Sequence, residues 1–500
     1  MRIPPRPTPA LPLLITMTLL ALAAFAPSDA MATGATEAPD VVPPTATPIG
    51  FDGARHLLAR TGFGGTWSEV QEFSKLTREE AVDRLLAGLR TTASTPAPEW
   101  TGRPPGADLP EMNRGKLTDE QRKELRQLGR RQGMELKAWW MQEMVETDSP
   151  LTERLVLFWH NHFTSSLRKV KAPGFLYQQN ALLRRFAAGS FAELTHEIVR
   201  DPAMIIYLDT QRSSRGKPNE NFARELLELF TLGEGHYTES DIKEAARAFT
   251  GIRVQRRTGK GSVVRRRHDA GEKSFLGLTG PLDDEAVVDR ILEQPRVSVY
   301  LTEKFWGEFI SPTPDPAEVQ RLAKVIRTSN YQMRPFLRTL FLSEAFWASQ
   351  NRGVLIKSPV ELVVGTSRTF GLPWGEPRRV VALSRSLGQD LFDPPNVKGW
   401  PGGVAWISSA TLLLREQYLE RVFRGLQLTK SKKRRQRRMG ERMSSVFNAW
   451  LADIADSPDV AAKRAERLLL PISPVEPREA GDDPFESLLR VVLDPTYQLK

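Results

Sequence analysis

The sequence predicts a mostly α-helical protein, a multi-helix array with a small β-hairpin inserted near residues 252–268. Three observations carry that expectation. Apolar residues recur with the 3.6-residue period of a helix through most of the chain. Capping-box spacing, in which a Ser or Thr stands three residues before a Glu or Gln, recurs at Thr77/Glu80, Thr118/Gln121, Ser190/Glu193 and Ser358/Glu361. Alternating strand-like patterns occur in one place only, where Ile252–Arg257 and Ser262–Arg267 flank a glycine-bearing loop, Thr258–Gly261.

Taken in order, the N-terminus reads as a signal peptide over residues 1–30. Arg2 and Arg6 form a basic start, Leu11–Phe25 is an apolar run, and small residues follow. An Ala/Thr/Pro-rich linker is expected over 31–50. A helical domain is expected over 51–495, with possible subdomains 51–250 and 280–495. The helices predicted in its first half lie near 53–60, 66–88, 118–146, 151–163, 174–188, 190–200, 219–232 and 238–250. Those in its second half lie near 284–293, 298–310, 316–328, 332–350, 358–370, 376–388, 408–426 and 440–466. Pro359 fits the first helical position behind Ser358, where a missing N–H does no harm. The Pro- and Gly-rich segment 90–116 reads as a loop.

Composition narrows the chemistry. The chain has no cysteine, which excludes disulfides, thiolate metal sites and cysteine nucleophiles. Its net charge is +10; removing two Arg and one Asp with residues 1–30 leaves +9. Much of the excess is local, in Lys430–Arg438 within an expected basic insertion at 428–440, and in Arg253–Arg267. Such runs are either solvated loops or attraction to a polyanion, such as an acidic polysaccharide, lipid headgroups or nucleic acid. No stretch beyond the signal is long and apolar enough to span a membrane. Walker, nucleophile-elbow, His-Glu-x-x-His and Rossmann fingerprints are absent.

Candidate chemistry concentrates between Leu151 and Asp269. The helix from Leu151 is apolar nearly all round, so it should be buried. At about 100° per residue, Glu153 and His160 share one face and Arg154 and Asn161 another, while His160 and His162 point about 200° apart. The two histidines are therefore either hydrogen-bonded core residues, separate metal ligands, or acid–base groups. On the helix from Asn219, Asn221 and Glu225 are i,i+4 neighbours; they either lie on an ordinary surface or face the histidines across a cleft. His268-Asp269 follows the hairpin as a turn or as an oriented imidazole. The loop Asp393–Gly403 offers Lys398 and Trp400, with Trp406 beyond; its tryptophans either stack on a sugar or plug the core. The candidate catalytic set is thus His160, Glu225, Asn221 and Asp269. His162, His160 and His268 are candidate ligands for a divalent metal. Lys398, Trp400 and Asn219 are candidate substrate contacts.

Several strings together resemble the bacterial domain-of-unknown-function 1800 family. They include Ala54–Gly64, Trp159–Phe163, Asp201–Met204, Tyr207–Asp209, Asn219–Gly233, Ala245–Gly251, His268-Asp269, Phe275–Gly277 and Pro394–Gly403. The resemblance implies an exported protein, periplasmic, cell-surface or extracellular. It also implies a co-encoded secreted sulfatase- or phosphatase-like protein as partner. It brings no catalytic residues with it. Two readings stand at this level: a metal-assisted or acid–base hydrolase of an envelope or extracellular polymer, and a non-enzymatic envelope or secretion partner that binds an acidic partner through basic surfaces.

Overall fold

The computed structural model describes residues 47–105, 117–255, 258–372, 377–424, 445–455, 457–477 and 483–500. The expected signal peptide, most of the expected linker and the expected basic insertion at 428–440 lie outside the described residues. Thr47–Lys500 form one compact unit. It is mostly helical, with two small antiparallel strand pairs. No described helix is long and apolar enough to cross a membrane.

Capping shows most directly how the sequence writes these helices. Thr77, Thr118, Thr238 and Ser358 each accept from the N3 amide while the N3 side chain accepts from the cap amide. Ser190 makes the first of those two bonds, to Glu193. Capping also corrects three boundaries. The helix expected over 66–88 is two, Trp67–Phe73 and Arg78–Ala87, because Thr77 caps the second. The one expected over 332–350 breaks at Ser343, which caps Glu344–Trp347. The one expected over 440–466 breaks before Pro458, the first residue of Pro458–Leu469.

The hairpin pairs Ile252–Gln255 with Lys260–Val263. A second hairpin, Lys273–Phe275 with Leu278–Gly280, was not expected. Its two-residue turn places Leu276 at φ 45° and Gly277 at φ 77°, the left-handed pair that a tight hairpin of this twist requires.

Pro150–His162 is the central helix, buried at every position from Leu151 to His160. It packs against Pro173–Arg185 and the second half of Asp119–Glu146. The latter helix changes character along its length. Its first half is exposed and charged, and burial begins at Gln132.

Candidate functional site

The central helix distributes its ionisable groups to separate partners. Glu153 accepts from Arg184 Nε (2.7 Å) and Nη2 (2.9 Å) and from Trp140 Nε1 (2.8 Å), all buried. Arg154 pairs with Glu361 (2.8 Å) and with Glu308. His160 stands edge-on to Trp140 and Phe392, beside Trp400, and its Nε2 has no hydrogen-bond partner. Burial holds its pKa down to about 3, so it is neutral at physiological pH.

His162 serves a different region. A short α-helix, Asn221–Glu225, widens its ladder into a π-turn over Leu226–Thr231. The end of a helix leaves carbonyls without backbone donors. Three side chains supply them: Tyr300 Oη to Leu229 O (2.8 Å), His162 Nε2 to Phe230 O (2.9 Å) and Arg296 Nε to Leu232 O (3.0 Å). His162 is thus a buried cap, and its pKa is also lowered to about 3 by desolvation.

The loop after Asp393 is fastened to the central helix through Asn161. Trp400 N donates to Asn161 Oδ1 (2.7 Å), and Asn161 Nδ2 donates back to Trp400 O (3.4 Å). The expectation that Trp400 stacks on substrate meets a ring only 4 % exposed, packed against His160; Trp406 is likewise buried. Gly399 makes this approach possible. It sits at φ 81°, and a Cβ there would collide with Asn161 Oδ1 and lie 2.7 Å from Asn161 O. Gly399→Ala is expected to cost about 2–5 kcal/mol, left-handed strain plus overpacking. A urea midpoint unchanged from the parent would refute this.

Asn219 and Asn221 are joined to each other, and Glu225 lies within electrostatic reach of Lys398. Asn219 Oδ1 accepts from Asn221 N (3.0 Å), so these two asparagines form a local turn. Glu225 is partly buried, and its carboxyl is raised by desolvation and by Glu228, with Lys398 opposing. Lys398 also reaches Glu234 (3.7 Å). Tyr207 lies close enough to feel Glu225 and Asp393.

His268 and Asp269 stand apart as a corner of the hairpin. His268 Nδ1 is 3.1 Å from Thr250 O. Asp269 accepts from Arg247 Nε (2.9 Å) and Gly271 N (2.9 Å), and the Arg247 bond lowers its pKa to about 2. Neither half of the pair reaches His160 or Glu225. Among the described residues no three His, Asp or Glu side chains are grouped as ligands for a metal ion. The set His162, His160 and His268 is split because one imidazole is walled by aromatics and the other two bond backbone carbonyls.

A larger concavity lies elsewhere. A groove of about 880 Å³ runs between Asp119–Glu146, Leu167–Arg185 and the segment 100–105. It is lined by Arg103, Arg122, Arg126, Arg130, Lys137, Arg168, Lys171 and Arg385, with Asp393 as the one carboxylate. Asp393 is held by Arg168 (2.7 Å), and Lys137 by Asp390. Arg126, Arg130 and Lys171 are exposed and have no ion pair among the described residues. Trp100 and Tyr177 line the same groove. The sequence reading missed this surface, although Arg122, Arg126 and Arg130 recur at four-residue spacing, one face of a helix.

A family model described as "Protein of unknown function (DUF1800)" matches residues 56–499. No curated protein and no solved structure matches the chain.

Proposed function

The chain belongs to the DUF1800 family, and from its basic groove we infer an exported, non-enzymatic protein that binds an acidic polysaccharide of the cell envelope. One observation carries this: eight cationic side chains line the groove against a single, already paired carboxylate. Three of the eight, Arg126, Arg130 and Lys171, have no ion pair among the described residues, and such cations on a concave wall attract polyanions and concentrate them. Trp100 and Tyr177 supply apolar ring faces of the kind that stack on sugar rings. The export signal read in the sequence puts envelope polymers within reach.

The test is titration of the purified protein with polygalacturonate, with neutral dextran and duplex DNA as controls, at two salt concentrations. Binding to polygalacturonate that weakens with salt is expected. The variant Arg126→Gln/Arg130→Gln/Lys171→Gln should fold normally, since those exposed groups have no ion pair among the described residues. It should bind at least about tenfold more weakly, roughly 1.4 kcal/mol. Equal binding of dextran, or an unimpaired variant, would overturn the reading. Preference for DNA would replace the polysaccharide with nucleic acid.

An acid–base hydrolase remains a second reading because of Glu225 alone. Desolvation and Glu228 raise its carboxyl above the ordinary range, and it lies close to Lys398 and Tyr207, a setting that suits a carboxylate to acid–base work. If the protein cleaves polygalacturonate, Glu225→Gln should abolish the release of reducing ends while leaving binding in the groove intact.

A further inference from the structure

A second cavity shares no lining residue with the groove. It lies between the helices Gly50–Thr61 and Pro359–Thr369, closed by Leu468–Pro471 and Tyr497–Lys500. Its volume is about 50 Å³. At roughly 10–15 Å³ per water, that is room for about three to five waters, the size of a tetrahedral oxyanion.

The charges around it do not balance. Arg55, Lys357 and Lys500 line it, and Arg60, Arg154 and Arg415, all buried, stand behind it within electrostatic reach of Glu361. Against these six cations stand Glu361, which is buried, and Glu308, which is partly open. Asp52, the remaining carboxylate near Arg55, is held by Arg467 (3.1 Å). Even counting the α-carboxylate of Lys500, cations outnumber anions in the cluster. Glu361 already receives Arg154 Nη1, Lys500 Nζ and Ser358 N.

The other cations are satisfied by neutral acceptors. Arg60 donates to Phe309 O, Ile310 O and Asn351 O, and Arg55 to Leu470 O and Pro471 O. Arg415 donates to Lys357 O and Gln498 Oε1, and Lys357 Nζ to Tyr497 O (2.6 Å). Carbonyls complete hydrogen bonds but bring no negative charge, so the cost of burying like charges together stands. Arg55 Nε, on a side chain that lines the cavity, has no acceptor among the described residues. The strain is visible in Lys357, whose pKa falls to about 7 through burial and through Arg415, Arg55 and Lys500.

We propose that this cavity is a binding site for one small tetrahedral oxyanion, inorganic phosphate or sulfate, held by Lys357, Arg55 and Lys500. Such a dianion would supply the missing negative charge and an acceptor for Arg55 Nε. Glu361 remains the structural counter-ion of Arg154 and Lys500, so the incoming anion is shared mainly by Lys357 and Arg55.

The experiment is thermal unfolding of the whole protein, dialysed free of oxyanions, against sodium phosphate and sodium sulfate, with sodium chloride at matched ionic strength. The expected result is a saturable rise in Tm of several degrees with either oxyanion, beyond that with chloride. In Lys357→Met the rise should be lost, or its half-point moved at least tenfold higher. Equilibrium dialysis of the parent with labelled sulfate at pH 6 and pH 9 gives a readout independent of that variant's folding. About one ion per chain, bound more weakly at pH 9, is expected. No saturable response beyond chloride, or no bound sulfate, would overturn the proposal. So would a Lys357→Met variant that responds as the parent does.

Discussion

Glu153→Ala is expected to destabilise the protein by about 3–5 kcal/mol, the cost of removing one partner from a buried ion pair. Glu153 is 1 % exposed, and Arg184, which grips it through two nitrogens, is 2 % exposed. Without the carboxylate, that guanidinium keeps only Asn180 Oδ1 (2.8 Å), and the Trp140 indole N–H loses its acceptor. The loss would be a large fraction of the 5–15 kcal/mol that holds a typical domain together. Urea denaturation of parent and variant measures it. The double variant Glu153→Leu/Arg184→Leu should regain most of the loss, because an apolar pair removes both charges together. A single variant within about 1 kcal/mol of the parent would refute the assignment.

Glu153 also illustrates what the sequence makes legible. Its seven-residue spacing from His160 predicts a shared face, and both residues touch Trp140. Capping boxes are equally readable, since partner and cap lie three residues apart. The first hairpin is announced by its glycine-bearing loop. Destinations set by distant chain are not legible. The ring positions around His160 come from residues 140, 392 and 400, and His162 finds its carbonyl 68 residues away, in a π-turn that no local pattern announces. Ser358/Glu361 is recognisable as a capping box, yet the same Glu361 carboxylate also anchors Arg154 and Lys500 from other parts of the chain. For the same reason the histidines attract attention as a site and turn out to be core. The groove draws its cations from several segments, of which only the Arg122, Arg126 and Arg130 row shows a pattern in the sequence.

The protein should also be acid-labile, for reasons that test those core assignments. His56, His160 and His162 are each held near pKa 3, from an ordinary value of 6.5, chiefly by burial. Folded, they are neutral across pH 6 to 4; unfolded, they take up three protons as pH falls through 6.5. A depressed pKa therefore contributes stability that is present above pH 6.5 and lost as pH falls toward 3. Asp201 works in the opposite direction. Burial raises its pKa from 3.8 to about 7, so unfolding releases its proton between those values. Three protons taken up against one released leave a net of two. At about 1.36 kcal/mol per proton per pH unit, stability should fall by roughly 2.7 kcal/mol for each unit below pH 6. Urea midpoints at pH 6.5, 5.5 and 4.5 measure the slope, and a flat profile would refute it. Asp201→Asn should steepen it toward three protons. His160→Phe should flatten it by one proton and leave the parent's stability unchanged or higher, because its Nε2 gives up no hydrogen bond. His162→Phe should flatten the slope equally but cost about 1–3 kcal/mol, since the Phe230 carbonyl loses its donor. Two buried histidines two residues apart would then be separated by experiment into one that fills space and one that closes a helix end.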